Sequence, residues 1–301
     1  RFKKKFFASD EEKRNMGESN TSNQEDPVIE TQPGDIFLGI DLQADIVQAQ
    51  KQYLSAIKLS GTKVYFVVYD LLPIQFPNAF PSAAEFNHRQ WLLEISKFDG
   101  IICISKAVAD DYRDWAKVNI PNLPKQFDVA WFHLGADIEN SVPTKGLPSN
   151  AQEVIAKISA EPSFVMIGTL EPRKGYGQTL PAFEQLWAKG AQVNLVIIGK
   201  KGWMVDELVS HIEKHPELNK RLFWLDSISD EYLDQIYSAS TCLIAASDGE
   251  GFGLPLIEAA RRHVPIIARD IPVFREVAKE HAFYYSARKP EEMAQAIEAW
   301  L

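Results

Sequence analysis

The second half of the chain alternates between short apolar runs and longer stretches of mixed polarity. The apolar runs are nearly continuous, as in strands that are buried on both faces of a parallel sheet. The predicted strands are SFVMIG (163–168), VNLVIIG (193–199), RLFWLD (221–226), TCLIAAS (241–247) and VPIIAR (264–269). The predicted helices are 176–189, 204–214, 230–239, 255–262, 272–280 and 290–300. This alternation predicts a doubly wound parallel sheet, which binds ligands beyond the carboxyl ends of its strands.

The first half repeats the pattern less regularly. Its predicted strands are DIFLGIDL (35–42), KVYFVVYD (63–70), GIICIS (100–105) and FDVAWFHLG (127–135). The predicted helices are 44–59, a helix from a cap at Ser82 to Lys97, and one that follows a cap at Ser105. The prolines between residues 71 and 81 predict irregular structure there. A second parallel sheet is therefore predicted in this half.

Changes in composition divide the chain into four segments. Residues 1–34 are mostly polar and indicate a flexible lead-in. Residues 35–145 hold a partial first domain, and residues 163–301 hold the second. Residues 139–162 are rich in Pro, Ser, Asn and Lys, and within them residues 146–162 are predicted to link the two domains. Two Rossmann-like domains joined in this way face each other across a cleft, where a ligand would bind.

Charge and composition exclude some classes of function. The formal net charge of −9 gives no electrostatic attraction to nucleic acid. The sequence has neither a signal peptide nor an apolar run long enough to span a bilayer, so a soluble cytoplasmic protein is predicted. Cys103 and Cys242 lie in apolar runs, which predicts free thiols in the core, as in a reducing compartment.

A basic and aromatic stretch opens the sequence. RFKKKFF (1–7) places Arg1, Lys3, Lys4 and Lys5 beside three phenylalanines. A frayed terminus is the favoured interpretation, because chain ends are the usual sites of disorder. The alternative is contact with an anionic membrane surface, which would hold the protein at the inner face of the cytoplasmic membrane.

The loop SDGEGFGLPLIEAARR (247–262) carries the strongest chemical signal. Gly249, Gly251 and Gly253 allow the backbone to approach a ligand closely. Pro255 suits the first turn of the helix that follows. The unpaired N–H groups and partial positive charge at the start of a helix attract anions, which suits a diphosphate.

Two carboxylates flank this turn, Glu250 before the helix and Glu258 within it, with seven residues between them. The string EGFGLPLIEA resembles the E-x7-E signature of the family-4 retaining glycosyltransferases, which have the two-domain GT-B architecture. The resemblance implies a nucleotide-sugar donor site in which Glu250 contacts the transferred sugar and Glu258 the ribose. It also implies a set of further donor-binding residues: Gly168, Gly251, Phe252, Gly253 and Leu254.

A second segment supports this resemblance. MIGTLEPRKGYGQTLPAF (166–183) ends a strand with a glycine turn and the adjacent pair Arg173 and Lys174. Two cations beyond the end of a strand can neutralise a pyrophosphate and the charge that develops as it leaves. The segment resembles the G-x-L-x-x-R-K-G donor phosphate clamp of the same family. Arg173, Lys174 and Glu250 are therefore predicted to act in catalysis.

In the first half, FVVYDLLPIQFP (66–77) ends a strand with Asp70 at the edge of the predicted cleft. Family members often have a His-Asp or His-Glu pair here, whereas this chain has Tyr69 at the histidine position, so the histidine's role does not transfer. Asp70 is a candidate for orienting the sugar or the acceptor, and capping of the following turn is an equal alternative. His133 is expected to pack beneath the cleft and not to act in catalysis.

The resemblance covers residues 35–301 and is densest over 163–285. Family members begin with a further strand, glycine-rich loop and helix, and they end with a helix that crosses back onto the first domain. Neither segment is recognisable here. The prediction is that the chain is trimmed, or that it is one module of a larger glycan-polymerising enzyme.

The resemblance implies retaining transfer by a front-face mechanism that needs no divalent metal and no other cofactor. The segments DLLPIQFP, GKKGW and DIPVFREV are most similar to those of mannosyl- and rhamnosyltransferases of bacterial surface-polysaccharide assembly. The predicted function is transfer of a hexose to a glycan or a lipid-linked glycan, as in O-antigen synthesis. GDP-mannose is the best candidate donor.

Two alternatives stay open. A sugar-nucleotide epimerase shares the two-domain shape, but it would need acid and base residues on both sides of the sugar, and no such pairing is evident. A non-catalytic nucleotide-sugar-binding module of a larger polymerase is the other alternative. Tyr69 at the histidine position and the unrecognised first strand favour it.

Overall fold

A computed structural model describes residues 29–42, 44–135, 146–286 and 288–301. The basic stretch 1–7 and most of the polar lead-in lie outside these residues, as do residues 136–145 at the predicted end of the first domain. The described residues form two parallel sheets with helices packed against them, so the predicted α/β architecture of two parallel-sheet domains is confirmed.

The first sheet contains four parallel strands in the order of the chain. They are β1 (Ile36–Gly39), β2 (Lys63–Val68), β3 (Gly100–Cys103) and β4 (Asp128–Trp131). The helices of this half are α1 (Ala44–Ala49), α2 (Lys51–Leu59), α3 (Leu72–Gln75), α4 (Ala84–Ile95) and α5 (Lys106–Asn119). The core lies between the sheet and its helices, where Phe66, Trp91 and Tyr112 are buried together.

The second sheet contains six parallel strands in the order β10-β9-β8-β5-β6-β7. They are β5 (Ser163–Ile167), β6 (Asn194–Ile198), β7 (Leu222–Leu225), β8 (Cys242–Ala245), β9 (Ile266–Arg269) and β10 (Phe283–Tyr285). Since the order reverses between β5 and β8, this neighbouring pair is the switch point of a doubly wound sheet. Its two faces are covered by separate apolar clusters.

The helices of the second half are α6 (Ala151–Ala160), α7 (Tyr176–Ala188), α8 (Asp206–Glu213), α9 (Asp230–Ala239), α10 (Leu254–Arg261), α11 (Pro272–Ala278) and α12 (Pro290–Trp300). Cys103 and Cys242 are buried free thiols in β3 and β8, as predicted. The hydroxyl of Ser105 accepts a hydrogen bond from the backbone N–H of Val108 at 3.1 Å, which confirms the predicted cap of α5.

The predicted linker over 146–162 is wrong for most of its length. Residues 151–160 form α6, and Ile158 is fully buried against the second sheet. Val154, Ile155 and Ile158 are spaced so that they share one helix face, and this spacing outweighs the polar residues around them. The second domain therefore begins at α6 and not at residue 163.

Three smaller predictions also differ from the structure. The cap at Ser82 is wrong, because α4 begins at Ala84 and its N-cap, Ala83, makes no side-chain cap bond. The helix predicted over 44–59 is divided at Gln50 into α1 and α2. The region predicted to be irregular contains α3 and a 3-10 turn at Pro77–Ala79, since proline is accepted in the first turn of a helix.

Candidate functional site

The candidate site lies at the switch point of the second sheet. The loop after β5 carries Arg173 and Lys174, and the loop after β8 carries Glu250. These loops lie side by side because their strands are neighbours, so residues far apart in sequence meet at one edge of the sheet. This edge is where open parallel sheets bind their ligands.

Arg173, Lys174 and Glu250 form one ion-paired cluster. Lys174 Nζ lies 2.5 Å from Glu250 Oε1, and Arg173 Nη1 lies 3.3 Å from Glu250 Oε2. The Ser247 hydroxyl donates to Glu250 Oε1 at 2.7 Å. The three charged side chains are only 12–15% exposed, so the cluster is largely removed from water. The structure thus brings together the three predicted catalytic residues of the second domain.

The cluster keeps Glu250 ionised. Burial by itself would raise the pKa of Glu250, but Lys174 and Arg173, with hydrogen bonds from Lys174 and Ser247, outweigh burial and lower it. The carboxylate is therefore paired with both cations. A diphosphate that binds Arg173 and Lys174 would replace Glu250 as their counter-ion and leave this carboxylate available for a ligand hydroxyl.

Glu171 is a second carboxylate at the cluster, and sequence reasoning missed it. Its Oε2 lies 3.0 Å from Arg173 Nη2, at an angle that makes no good hydrogen bond. Burial raises the pKa of Glu171, and the nearby cations Arg173 and Lys174 oppose this only in part. Its position two residues before Arg173, in the motif itself, was the signal that could have identified it.

The glycines of the loop after β8 were predicted to let the backbone approach a ligand, and two of them pack closely against the first domain. A Cβ on Gly249 would lie 2.4 Å from the ring of Phe76, and one on Gly251 would lie 2.2 Å from the carbonyl oxygen of Tyr69. Both neighbours belong to the first domain. Of the three glycines, only Gly253 has a left-handed backbone, with φ +94°. The prediction that the glycines allow close approach was incomplete, because for Gly249 and Gly251 the group approached is the other domain.

The side chain of Phe252 is buried between the domains and not in the donor site. It is 3% exposed and packs with Val67 and Ile104 of the first domain. Its donor role can therefore come only from its backbone. The backbone N–H groups of Gly251, Phe252 and Gly253 have no acceptor among the described residues, and these residues are buried. Buried donors of this kind favour a polar ligand.

Gly168 lies beside Lys174 of the cluster, and Leu254 begins α10. The Gly168 carbonyl accepts a hydrogen bond from the Tyr176 hydroxyl at 2.7 Å, and a Cβ on Gly168 would lie 3.4 Å from Lys174 Cε. Leu254, at the start of α10, is 43% exposed. A cavity of about 20 Å³ opens beside Lys174 and Glu250, which is room for one water-sized group.

Glu258 is on α10, one turn beyond its start, and is half-buried. The Tyr237 hydroxyl donates to Glu258 Oε2 at 3.0 Å, and Arg262 covers the Tyr237 ring at 4.9 Å. Burial and the Glu258 carboxylate raise the pKa of Tyr237, so the phenol stays protonated and can donate. Glu258 is thus held in one orientation by a neutral hydrogen-bond donor.

Asp70 lies at the cleft edge of the first domain, and the capping alternative is confirmed for its side chain. Its Oδ1 accepts from the Leu72 N–H at 3.0 Å, at the start of α3. Burial raises the pKa of Asp70, while the Leu72 hydrogen bond, His88 and Arg173 oppose this and Glu250 adds to it. Asp70 therefore shares the electrostatic environment of the cluster without an ion pair to it.

The residue at the family's histidine position is engaged elsewhere. The Tyr69 hydroxyl donates to the carbonyl of Ile40 at 2.6 Å. A different histidine, His88 on α4, places Nε2 2.9 Å from the carbonyl oxygen of Asp70, and burial lowers the pKa of His88 although Asp70 opposes this. His133 contacts the rings of Trp131 and Phe252, with ring centroids at 5.1 and 5.5 Å, but its side chain is 43% exposed and is not buried beneath the cleft as expected.

Among the described residues, one group has ligand atoms close enough to hold a metal ion: Glu184, His211 and His215 on α7 and the segment around α8. Glu184 Oε1 lies 2.9 Å from His211 Nε2 and 3.1 Å from His215 Nε2. The Glu217 N–H donates to His215 Nδ1, so the neutral ring carries its proton on Nε2 and directs it at Glu184. This is the arrangement of a hydrogen-bonded carboxylate and not of an open metal site.

Comparison with known proteins agrees with the fold. Residues 149–301, about half the chain, match the family described as Glycosyl transferases group 1. The serotype-specific mannosyltransferase WbdA of Escherichia coli is 46% identical over 271 residues, which cover 89% of this chain and 33% of WbdA. The O-antigen chain mannosyltransferase RfbU of Salmonella typhimurium is 26% identical over 76% of this chain and 58% of RfbU. The chain thus spans about a third of the length of its WbdA relatives.

Solved structures share the fold at low sequence identity. Anabaena HepE, in complex with UDP and glucose, has a TM-score of 0.62 and 18% identity, over 87% of this chain and 67% of HepE. A trehalose-phosphate synthase from Burkholderia xenovorans, in complex with glucose-6-phosphate, has a TM-score of 0.64 and 12% identity over 89% of this chain and 65% of that protein. In the part of the chain that the structure describes, every helix is too short or too polar to cross a membrane. With the switch-point cluster and the match over its second domain, this chain belongs to the Glycosyl transferases group 1 family.

Proposed function

We propose that the cleft binds a nucleotide-sugar donor and transfers its hexose, with retention of configuration, to a glycan or a lipid-linked glycan. One observation carries the proposal. Two buried cations are held beside buried backbone N–H donors at the switch point, with an ionised carboxylate as their exchangeable partner. Such a site fits a ligand that combines a diphosphate with a hydroxyl-rich ring.

In this proposal the bond between the sugar's anomeric carbon and the diphosphate oxygen breaks, and the acceptor hydroxyl oxygen bonds to that carbon from the same face. The acceptor proton passes to an oxygen of the departing nucleoside diphosphate. Arg173 and Lys174 stabilise the negative charge that develops on the leaving group. Glu250, released from Lys174, accepts hydrogen bonds from the sugar, and the Gly251–Gly253 backbone holds its hydroxyls. Glu258 holds the ribose.

Mannose is the proposed sugar, and GDP-mannose the proposed donor. The support is the 46% identity to proteins named as mannosyltransferases, together with the similarity to RfbU. Since those relatives extend well beyond the matched third, an O-antigen-type polysaccharide as the product and a place in a larger polymerising enzyme belong to the same proposal. We also propose that transfer needs no divalent metal, because Arg173 and Lys174 supply two positive charges where a metal would otherwise neutralise the diphosphate.

A non-catalytic donor-binding module is the second candidate. It is favoured by Tyr69, which stands at the family's histidine position and whose hydroxyl is engaged with the carbonyl of Ile40. Such a module would bind the same ligands through the same cations. Turnover is therefore the property that separates the two candidates.

The test uses the whole encoded polypeptide with labelled GDP-mannose, UDP-glucose, UDP-N-acetylglucosamine and dTDP-rhamnose, in buffer with EDTA. The proposal expects transfer of label from GDP-mannose to a mannose-containing acceptor, and a higher unfolding temperature with GDP-mannose than with the other donors. Binding of GDP-mannose without transfer would favour the binding module. Transfer that stops in EDTA and returns with Mg²⁺ would contradict the metal-independent mechanism.

A further inference from the structure

Glu276 makes the most specific polar contact between the two domains. It lies on α11 of the second domain, and both its carboxylate oxygens accept backbone N–H groups from the first turn of α5 in the first domain. Lys106 N–H donates to Oε1 and Ala107 N–H donates to Oε2, each at 2.7 Å. His133 Nε2 also lies 2.7 Å from Oε1, and the Glu276 side chain is only 15% exposed.

This contact completes the amino end of α5 from outside its own domain. The first N–H groups of a helix have no partner within the helix and are usually met by local caps. Here the Ser105 side chain accepts the N–H of Val108, and Glu276 accepts the N–H groups of Lys106 and Ala107. A carboxylate is also favoured at this end by the helix dipole. The geometry requires both N–H groups to face one carboxylate, so it permits little rotation of one domain against the other.

The same turn of α5 contacts the loop that would hold the sugar. The hydroxyl of Ser105, the residue before the pair bound by Glu276, donates to the Gly251 carbonyl at 2.8 Å. The next loop residue, Phe252, packs on Val67 and Ile104 of the first domain. When Glu276 fixes residues 106 and 107, it therefore also fixes the position of Ser105 relative to Gly251.

We infer that Glu276 is a positioning residue for the proposed transfer: it docks the first domain through the start of α5 and thereby sets the Gly251–Phe252 backbone beside the transferred sugar. It acts through Ser105 and contacts no substrate. The expected effect of Glu276 on turnover rests on the proposed function. Its expected effect on the arrangement of the two domains rests on the domain contact alone. The apolar cluster around Phe252 and the contact of Trp203 with Ala79 and Phe80 also join the two domains.

The test is Glu276→Gln in the whole encoded polypeptide, with Glu280→Gln as the matched control. A glutamine can accept one of the two N–H groups but presents its own NH₂ to the other. Glu280 is exposed, two residues beyond the end of α11, and pairs with His281. Because small displacements from reactive geometry reduce rates steeply, kcat should fall about tenfold to a hundredfold in Glu276→Gln. The Kd for free GDP should change by less than about twofold, since the cations that bind it are untouched.

Two further measurements separate positioning from general damage. Small-angle X-ray scattering should show a larger radius of gyration for Glu276→Gln than for wild type and Glu280→Gln. Circular dichroism should first show that each of the three proteins is folded. In a double-mutant cycle with Ser105→Ala, the losses of kcat should be less than additive, because both substitutions break one linked contact.

The inference is overturned if Glu276→Gln keeps both its kcat and its radius of gyration, or if its affinity for GDP falls as far as its kcat. If the wild-type protein transfers no sugar from any donor, the proposed function fails and the scattering result decides this inference by itself. An expanded variant would then support the docking role, and an unchanged one would reject it.

Discussion

The two sides of the cleft are built from different chemistry. On the second domain, Arg173, Lys174 and Glu250 form a buried charged cluster that depends on mutual pairing. On the first domain, Asp70 is committed to a backbone N–H and the Tyr69 carbonyl serves as a surface against which Gly251 packs. The second domain is thus organised to bind a charged ligand, and the first to define the shape of the closed cleft. Loss of the two cations should therefore alter affinity, whereas a change at the contact between the domains should alter turnover.

The largest effect is expected for Arg173→Ala/Lys174→Ala. Two charge-assisted contacts to the diphosphate are lost, each of about 1.5–3 kcal/mol, so affinity for free GDP should fall by about a hundredfold or more. Calorimetric titration with GDP measures it. The control is Lys117→Ala/Lys189→Ala, which removes two exposed cations that also pair with carboxylates and should leave the affinity unchanged. Equal affinities for the two double variants would show that the cluster does not bind phosphate.

Gly251→Ala tests the docking side of the comparison. A methyl group here would collide with the Tyr69 carbonyl, a backbone atom that cannot turn away. The domains must then separate locally, and kcat should fall about a hundredfold while affinity for GDP changes only severalfold. Gly177→Ala is the matched control, because a Cβ at this exposed helical position meets nothing within 4 Å. Its kcat should equal that of wild type. A normal kcat in Gly251→Ala would contradict the idea that packing of Gly251 on the first domain sets the cleft geometry needed for turnover.

Glu250→Gln separates the catalytic from the binding function within the cluster. The amide keeps the size of the side chain but loses the charge that stabilises the developing positive anomeric centre, so kcat should fall by about a hundredfold. Affinity for GDP should be maintained or improved, since Lys174 loses its competing counter-ion. Steady-state kinetics and calorimetry measure the two quantities. A loss of GDP affinity with normal turnover would reverse the roles assigned to Glu250 and Glu258.

Glu258→Gln should have a smaller effect and a different signature. The ribose contact is the same in the donor, the transition state and the product, so its loss weakens binding of all three by about tenfold and appears in KM with little change in kcat. Tyr237 can still donate to the amide oxygen, which should preserve the local fold. Parallel kinetics with GDP-mannose and calorimetry with GDP provide the measurement. A large fall in kcat at unchanged KM would contradict the assignment to ribose.

The smallest expected effect is on the pH dependence of the unfolding free energy. This dependence has opposite signs for Glu250 in the second domain and Asp70 in the first. The pKa of Glu250 is lowered in the folded protein, so its ion pairs stabilise the fold above the ordinary carboxyl pKa, about 4.3, and this contribution is lost as pH falls through the lowered value. The pKa of Asp70 is raised, so the folded state binds a proton more tightly there and stability falls as pH rises from about 4 through the raised value.

Urea unfolding of the two amide variants between about pH 3 and about pH 7 tests this difference. Glu250→Gln should be less stable than wild type at the upper end of this range, with a difference that shrinks as pH falls. Asp70→Asn should gain stability relative to wild type as pH rises, because the amide can accept the Leu72 N–H without a buried charge. If the difference in unfolding free energy between variant and wild type changed in the same direction with pH for both variants, the electrostatic contrast between the two domains would be contradicted.

Most of the fold could be predicted from the sequence. Each apolar run became a strand and the intervening stretches became helices, because burial on both faces of a parallel sheet requires continuous apolar residues. The helix that the sequence analysis missed, α6, depends on the spacing of a few apolar residues. The helix α6 was hidden in a polar segment, where Val154, Ile155 and Ile158 become a packed face only when a sheet lies beside them.

The sequence also determined which residues meet at the switch point, since the motifs around Arg173 and Glu250 each follow a strand that the topology places next to the other. Only the tertiary structure decided what those residues do to one another and to the first domain. The pairing of Lys174 with Glu250, the docking of Gly251 on Tyr69 and the contact of Glu276 with α5 each join residues far apart in the chain. No local pattern encodes such contacts, because they depend on which strands are neighbours within one sheet and on how the two sheets are oriented relative to each other.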